Sequence, residues 1–303
     1  MLTKHTHRGL VWIDLESPSQ DEIRSVANEY HLNPLVVHEL SAPSLKPKVD
    51  LYDNLIYLIL HFPRARRTAE EHDQEIDFIL GKKFLITVRY GASETLHLVS
   101  KIFDASAVLD KGSFGPHAGF IFFFLLGKLY EALLYELSAV GESLRSVEER
   151  IFGGEEREMV LGLSEISRGI LYFKRSLSLH RDVLESFEIA GKKFFGEEFA
   201  FHLRALTGDY YRVEHAVEGN AAFLSELRET NNALLSTKQN EIMKTLTVLA
   251  FIALPATTVL SLFQIETASR PIVGMPFDFW LLALMVGGIA FGLFTWFKYR
   301  KWL

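Results

Sequence analysis

The chain contains no cysteine in 303 residues. That excludes disulfides, thiolate nucleophiles and Cys-based zinc sites. Basic residues are also in short supply: 32 Lys and Arg face 38 Asp and Glu, leaving a net charge of -6, so nothing points to nucleic acid. Proline is scarce where it matters. Seven of the nine fall at residues 18, 34, 43, 47, 63, 271 and 276; the other two, Pro116 and Pro255, bracket a long proline-free stretch. That stretch is rich in Leu, Glu, Arg and Ala, as long helices require. No phosphate loop, HExxH, nucleophile elbow or paired His and Ser suggests an enzyme. The start, MLTKHTHRGLVWIDL, lacks the basic-then-apolar order of a signal peptide, which leaves the N-terminus in the cytosol.

What is present falls into blocks. GLVWIDLE (9–16) reads as a strand, and Ser17-Pro18 opens a helix with apolar residues at Ile23, Val26, Ala27 and Tyr30. LYDNLIYLILHFPRA (51–65) reads as one strand stopped by Pro63. RARRTAEEHDQE reads as a polar loop, whose acidic run Glu70, Glu71, Asp73 and Glu75 with His72 is expected to be solvated. EIDFILGKKFLITVRY (75–90) reads as a hairpin turning at Gly81-Lys82. AGFIFFFLLG (118–127) is too short to cross a membrane, which needs about 20 apolar residues, and reads as a packed helix. ELSAVGESLRSVEERIF and RGILYFKRSLSLHRDVLESFEIAGKKFF have the spacing of two helices in a hairpin. From Glu197 a helical pattern runs without a break into TLTVLAFIALPATTVLSLFQI, on the order of 100 Å of helix.

Two segments qualify as membrane spans, Leu246–Ile265 and Phe277–Phe297. Trp280 marks one end of the second; Trp296 and Tyr299 mark the other. Lys238 and Lys244 precede the first span, and Lys298, Arg300 and Lys301 follow the second. The connecting loop holds Arg270 against Glu266. The positive-inside rule therefore puts both termini in the cytosol and the loop outside. The expected organisation is a cytosolic α/β domain (1–110), a helical hairpin and stalk helix (111–245), a first transmembrane helix (246–265), an external loop (266–276), a second transmembrane helix (277–297) and a basic cytosolic tail (298–303).

In this order, VWIDLESPSQDEI, HLNPLVVHEL, KPKVDLYDNLIYLILHFP, EIDFILGKKFLITVRY, KQNEIMKTLTVLAFIALPATTV and the ending FKYRKWL resemble the CorA family of divalent-cation channels over nearly the whole chain. The resemblance implies a funnel-shaped homopentamer in a bacterial inner membrane, with the first span lining a central pore and the second facing lipid. It implies transported Mg²⁺, Co²⁺, Ni²⁺ or, in a related branch, Zn²⁺, with no resident cofactor. It also puts the pore on one face of the long helix: Asn240, Met243, Leu246 (or Thr247), Ala250, Leu254, Thr257, Ser261 and Gln264. Residues three or four apart share a helix face. This one is apolar at its inner end, where a collar can gate by dewetting, and polar at its outer end.

The family ends its pore helix in Gly-Met-Asn, about nine residues after the proline. Counting from Pro255 reaches Gln264-Ile265-Glu266, so the motif is replaced. Gly274-Met275-Pro276 lies ten residues further on and reads as a turn into the second span. A ring of Glu266 carboxylates, with Gln264 amides beside it, would concentrate cations at the pore mouth and makes Glu266 the candidate metal contact; alternatively Glu266 turns to water. Many relatives carry an Arg-Asp…Asp pattern for regulatory Mg²⁺. In HLRALTGDYY, Arg204 is kept, Ala205 and Gly208 replace the acids, and Asp209 is rotated about 100° away. Three functions follow from these readings: a divalent-cation channel of altered selectivity, a weakly selective or tension-gated channel, or a membrane-anchored regulatory protein that does not conduct.

Overall fold

The computed structural model describes residues 1–44, 46–63, 74–108, 115–264, 272, 274, 276–300 and 302. The chain forms two compact units, Met1–Leu227 and Arg228–Leu303. The first is built on a six-stranded sheet. β1 (Leu2–His7) and β2 (Leu10–Glu16) form a hairpin closed by Arg8-Gly9, both at positive φ, the conformation a two-residue hairpin turn demands. β3 (Lys48–Leu51) and β4 (Ile56–Phe62) form a second hairpin. β5 (Gln74–Leu80) and β6 (Phe84–Arg89) form the third, turning at Gly81 as the sequence predicts. The strand order is β1-β2-β6-β5-β4-β3, and β2 with β6 is the parallel pair.

Helices cover both faces. α1 (Gln20–Tyr30) starts two residues later than Ser17-Pro18 suggests. Ser19 and Glu22 cap each other's backbone N–H, a reciprocal box that fixes the first turn. With α2 (Pro34–Glu39), it buries Ile23, Val26 and Val36 against Ile13, Leu15, Tyr57, Ile59, Ile79, Ile86 and Val88 of the sheet. The opposite face meets α3 (Glu94–Val108), α4 (Gly119–Phe152), α5 (Glu156–Leu177) and α6 (His180–Phe195). There the Phe103 ring lies 5.8 Å from Trp12, and Phe122 lies 5.1 Å from Phe78. AGFIFFFLLG is indeed packed helix, with Ile121, Phe122, Leu125 and Leu126 of α4 buried.

Four expectations are corrected. The strand β1 has no counterpart in the sequence reading. Residues 51–65 are not one strand: the Asp53-Asn54 turn separates β3 from β4, and Tyr52 N–H donates to the Leu55 carbonyl across it. The long second hairpin helix is two, α5 and α6, broken at Ser178-Leu179, where His180 is fixed by bonds from both ring nitrogens. Glu75 belongs to no solvated loop; it is a buried member of β5. Its neighbours Glu70, Glu71, His72 and Asp73 lie outside the described residues. After a 3-10 turn at Glu197–Phe199, α7 runs unbroken from Ala200 to Gln264, through Pro255. α8 spans Asp278–Tyr299. The α/β domain, the very long helix and the second apolar helix are those the sequence predicts.

Candidate cation pathway

The site is built on the last part of α7. At 100° per residue, Val248, Ile252, Pro255, Val259 and Phe263 fall on one face, and Met243, Ala250, Leu254, Thr257, Ser261 and Gln264 fall about 180° away. The structure treats the two faces differently. On the first, Val248 is buried and the other four are half-buried. α8 meets α7 between the two faces as well: the Phe251 ring is 6.2 Å from Phe297, itself buried. On the second face every residue is exposed within the single chain, including the large apolar ones, Met243 at 54%, Leu246 at 58% and Leu254 at 64%. Asn240 is exposed as well. The exposure is not confined to the stripe named from spacing: Leu249, Phe251, Leu260 and Leu262 are exposed as well, and Leu246 lines a cavity with Leu249, Ile252 and Phe294 of α8.

The chemistry of the stripe changes along its length. The inner part, Met243 to Leu254, offers hydrocarbon. The outer part offers oxygen. Thr257 Oγ1 donates to the Leu254 carbonyl at 2.9 Å and Ser261 Oγ donates to the Thr257 carbonyl at 2.9 Å. Each hydroxyl has spent its one proton on the helix, so its lone pairs remain for a cation or its water shell. Gln264 is the last residue of α7 and exposed. Ile265 and Glu266 lie outside the described residues.

The second apolar helix is entered through a tight bend. Gly274 has φ +94, a value glycine adopts without strain, and its N–H donates to Asp278 Oδ2 at 3.1 Å. Asp278 Oδ1 takes the Phe279 N–H at 2.7 Å, placing a carboxylate on the unsatisfied amides of the first turn. Gly274 thus serves the start of α8; Met275 lies outside the described residues. Phe279, Trp280, Leu284, Phe291 and Tyr299 stand exposed along α8, and Arg300 lies over the Trp296 ring at 5.9 Å.

The residues at the family's regulatory position are engaged otherwise. Arg204 pairs with Glu188 at 3.7 Å, and Asp209 pairs with Arg212. Asp209 and Arg212 line a cavity of about 300 Å³ with Lys128 and Glu131, themselves paired at 2.5 Å, so each acid there already has its own cation. Among the described residues, no three His, Cys, Asp or Glu side chains gather as metal ligands. The sequence reading passed over a buried polar layer in the sheet. Arg89 bonds Asp14 Oδ2 at 2.9 Å and Glu16 Oε2 at 2.8 Å, and Asp77 sits among Tyr57 and Tyr90. The signal was there in EIDF and WIDLE: acids at strand spacing inside apolar runs.

An α/β domain leads into two helices that are long, apolar and exposed enough to cross a bilayer, the very long α7 and the shorter α8, which is the organisation of an integral membrane protein. The family model described as "CorA-like Mg2+ transporter protein" matches residues 7–300, and the chain belongs to that family. Its members are ion transporters, not enzymes. The chain is 21% identical to the cobalt/magnesium transport protein CorA of Thermotoga maritima, over 96% of this chain and 83% of the relative. It is 23% identical to the divalent cation transporter CmaX of Pseudomonas aeruginosa, over 89% of this chain and 79% of the relative. Its fold matches the complete structure of the CorA magnesium transporter from Methanocaldococcus jannaschii with a TM-score of 0.85 at 17% identity, covering 100% and 98% of the two chains.

Proposed function

We propose that the protein is a homopentameric channel for divalent metal cations of the Mg²⁺, Co²⁺, Ni²⁺ and Zn²⁺ class. Five α7 helices surround the pore, α8 faces lipid, both termini are cytosolic, and the membrane is a bacterial inner membrane. The observation that carries this reading is the exposed stripe of α7, across the helix from its most buried face, with its oxygen-bearing outer end. Five copies facing one axis give a hydrocarbon collar below rings of neutral oxygens. Such rings suit an ion that dehydrates reluctantly and passes with its water shell. The names of the relatives from Thermotoga maritima and Pseudomonas aeruginosa, a cobalt/magnesium and a divalent-cation transporter, agree with it.

Selectivity is where this chain departs from its family. Gln264-Ile265-Glu266 replaces Gly-Met-Asn, and Glu266 brings a formal charge where the family has a neutral amide. A carboxylate ring raises the local concentration of any cation. This favours, as a second reading within the same frame, a weakly selective channel. Reconstituted in proteoliposomes, wild-type protein is expected to take up divalent ions, and Glu266→Lys to lose that uptake. Unchanged uptake in Glu266→Lys removes Glu266 from the pathway; absence of flux for any ion leaves a non-conducting regulatory protein.

A further inference from the structure

Two buried carboxyl groups belong to one strand, β5, of the sheet in the first unit. Glu75 and Asp77 are two residues apart on one face of β5, at 4% and 0% exposure. Glu75 reaches off the sheet. Its Oε1 accepts the Ser44 N–H at 2.9 Å, and its Oε2 lies 3.1 Å from His61 Nε2. The same Nε2 is 2.9 Å from the Ser44 carbonyl, which can only accept, so Nε2 carries the proton. Ser44, in the connection between α2 and β3, is therefore gripped at its N–H by a carboxylate and at its carbonyl by an imidazole.

Asp77 is the less satisfied partner. Its Oδ2 receives the Tyr57 hydroxyl at 3.3 Å and, weakly, the Tyr90 hydroxyl at 3.5 Å, while its buried Oδ1 has no hydrogen-bond donor. The charged groups around it offer no compensation. Lys48 stands 5.3 Å over the Tyr57 ring, but its ammonium is held by Glu39 at 2.7 Å and Asp50 at 2.6 Å. A proton on one carboxyl gives it a donor to the other and removes one buried charge.

We propose that Glu75 and Asp77 form a proton-operated latch on Ser44: sharing one proton, the pair leaves Glu75 and His61 holding the segment, and losing that proton places two charges together and releases it. Burial first, and then the neighbouring Glu75, hold the Asp77 carboxyl well above the ordinary carboxylate range. The sign follows. With the latch closed the proton is retained; with it open, a solvated Asp77 ionises in the ordinary range. Opening is thus favoured as pH rises between those two values, by at most about tenfold per pH unit for one proton. The movement has a route to the helices: the His61 carbonyl takes His180 Nε2 at 2.7 Å, and His180 Nδ1 lies 2.9 Å from the Tyr130 hydroxyl, joining β4 to α6 and α4.

The test is hydrogen exchange followed by mass spectrometry on the full chain in detergent, between about pH 5.5 and 8, corrected for base catalysis of exchange. A peptide across residues 40–48 is compared with one in the core of α4. In the wild type the opening constant of residues 40–48 is expected to rise with pH while α4 stays protected. Asp77→Asn is expected to flatten that rise, and Glu75→Gln to expose the segment at every pH. A flat wild-type profile, or equal slopes in wild type and Asp77→Asn, overturns the latch. The wild-type profile alone decides if a variant fails to fold, and neither outcome depends on whether the pore conducts.

Discussion

At the scale of single residues, the molecule hides ionisable groups in its α/β domain and satisfies most of them. Arg89 is the clearest case. It is 6% exposed, and its guanidinium spans Asp14, Glu16 and the Gly91 carbonyl. Removing one partner of such a pair strands a buried charge. Arg89→Ala is therefore expected to cost about 3–5 kcal/mol, seen as a drop in the urea midpoint of the protein. Glu136 on α4 is a different case. Burial pushes its carboxyl up to about 7, and its buried Oε2 has no hydrogen-bond partner. A folded value raised above the unfolded one means that stability is full in acid and falls as pH rises toward about 7. Glu136→Gln removes that titration and is expected to raise the apparent melting midpoint at pH 8 more than at pH 5. An equal shift at both would show that Glu136 is already ionised in the fold.

At the scale of elements, the proposed pathway lies on α7, and the two faces of that helix make opposite predictions. The natural chain has no cysteine, so a single introduced thiol is a clean reporter. Thr257→Cys and Ser261→Cys are expected to make flux sensitive to Cd²⁺ and to small water-soluble thiol reagents; Val248→Cys and Val259→Cys are not. Leu254→Ser wets the apolar collar and is expected to raise basal flux several-fold if the collar gates by dewetting. The elements differ in how legible they were. The two long apolar helices could be read because lipid and helix geometry impose length and composition on the sequence itself. β1 could not, because the side chains it buries are His5 and His7, so no apolar alternation marks it. The break between α5 and α6 escaped for a related reason. It depends on His180 meeting Tyr130 and the His61 carbonyl, partners 50 and 119 residues away. Glu75 looked like part of a charged loop because its acids are local, whereas the Ser44 and His61 that bury it are not.

At the scale of the whole molecule, the account needs five copies. One α7 exposes Met243, Leu246 and Leu254, and in the proposed channel only association around an axis turns that stripe into a pathway. Mass measurement of the detergent-solubilised protein is expected to give five chains; a monomer or dimer undermines the pore. The most direct test of the central claim is a flux assay in proteoliposomes that compares Mg²⁺, Co²⁺, Zn²⁺ and Na⁺ under identical gradients. The account predicts divalent flux well above that of Na⁺, lost when Glu266 is replaced by Lys. Na⁺ flux equal to the divalent flux would contradict divalent selectivity, and no flux of any ion would contradict the channel itself.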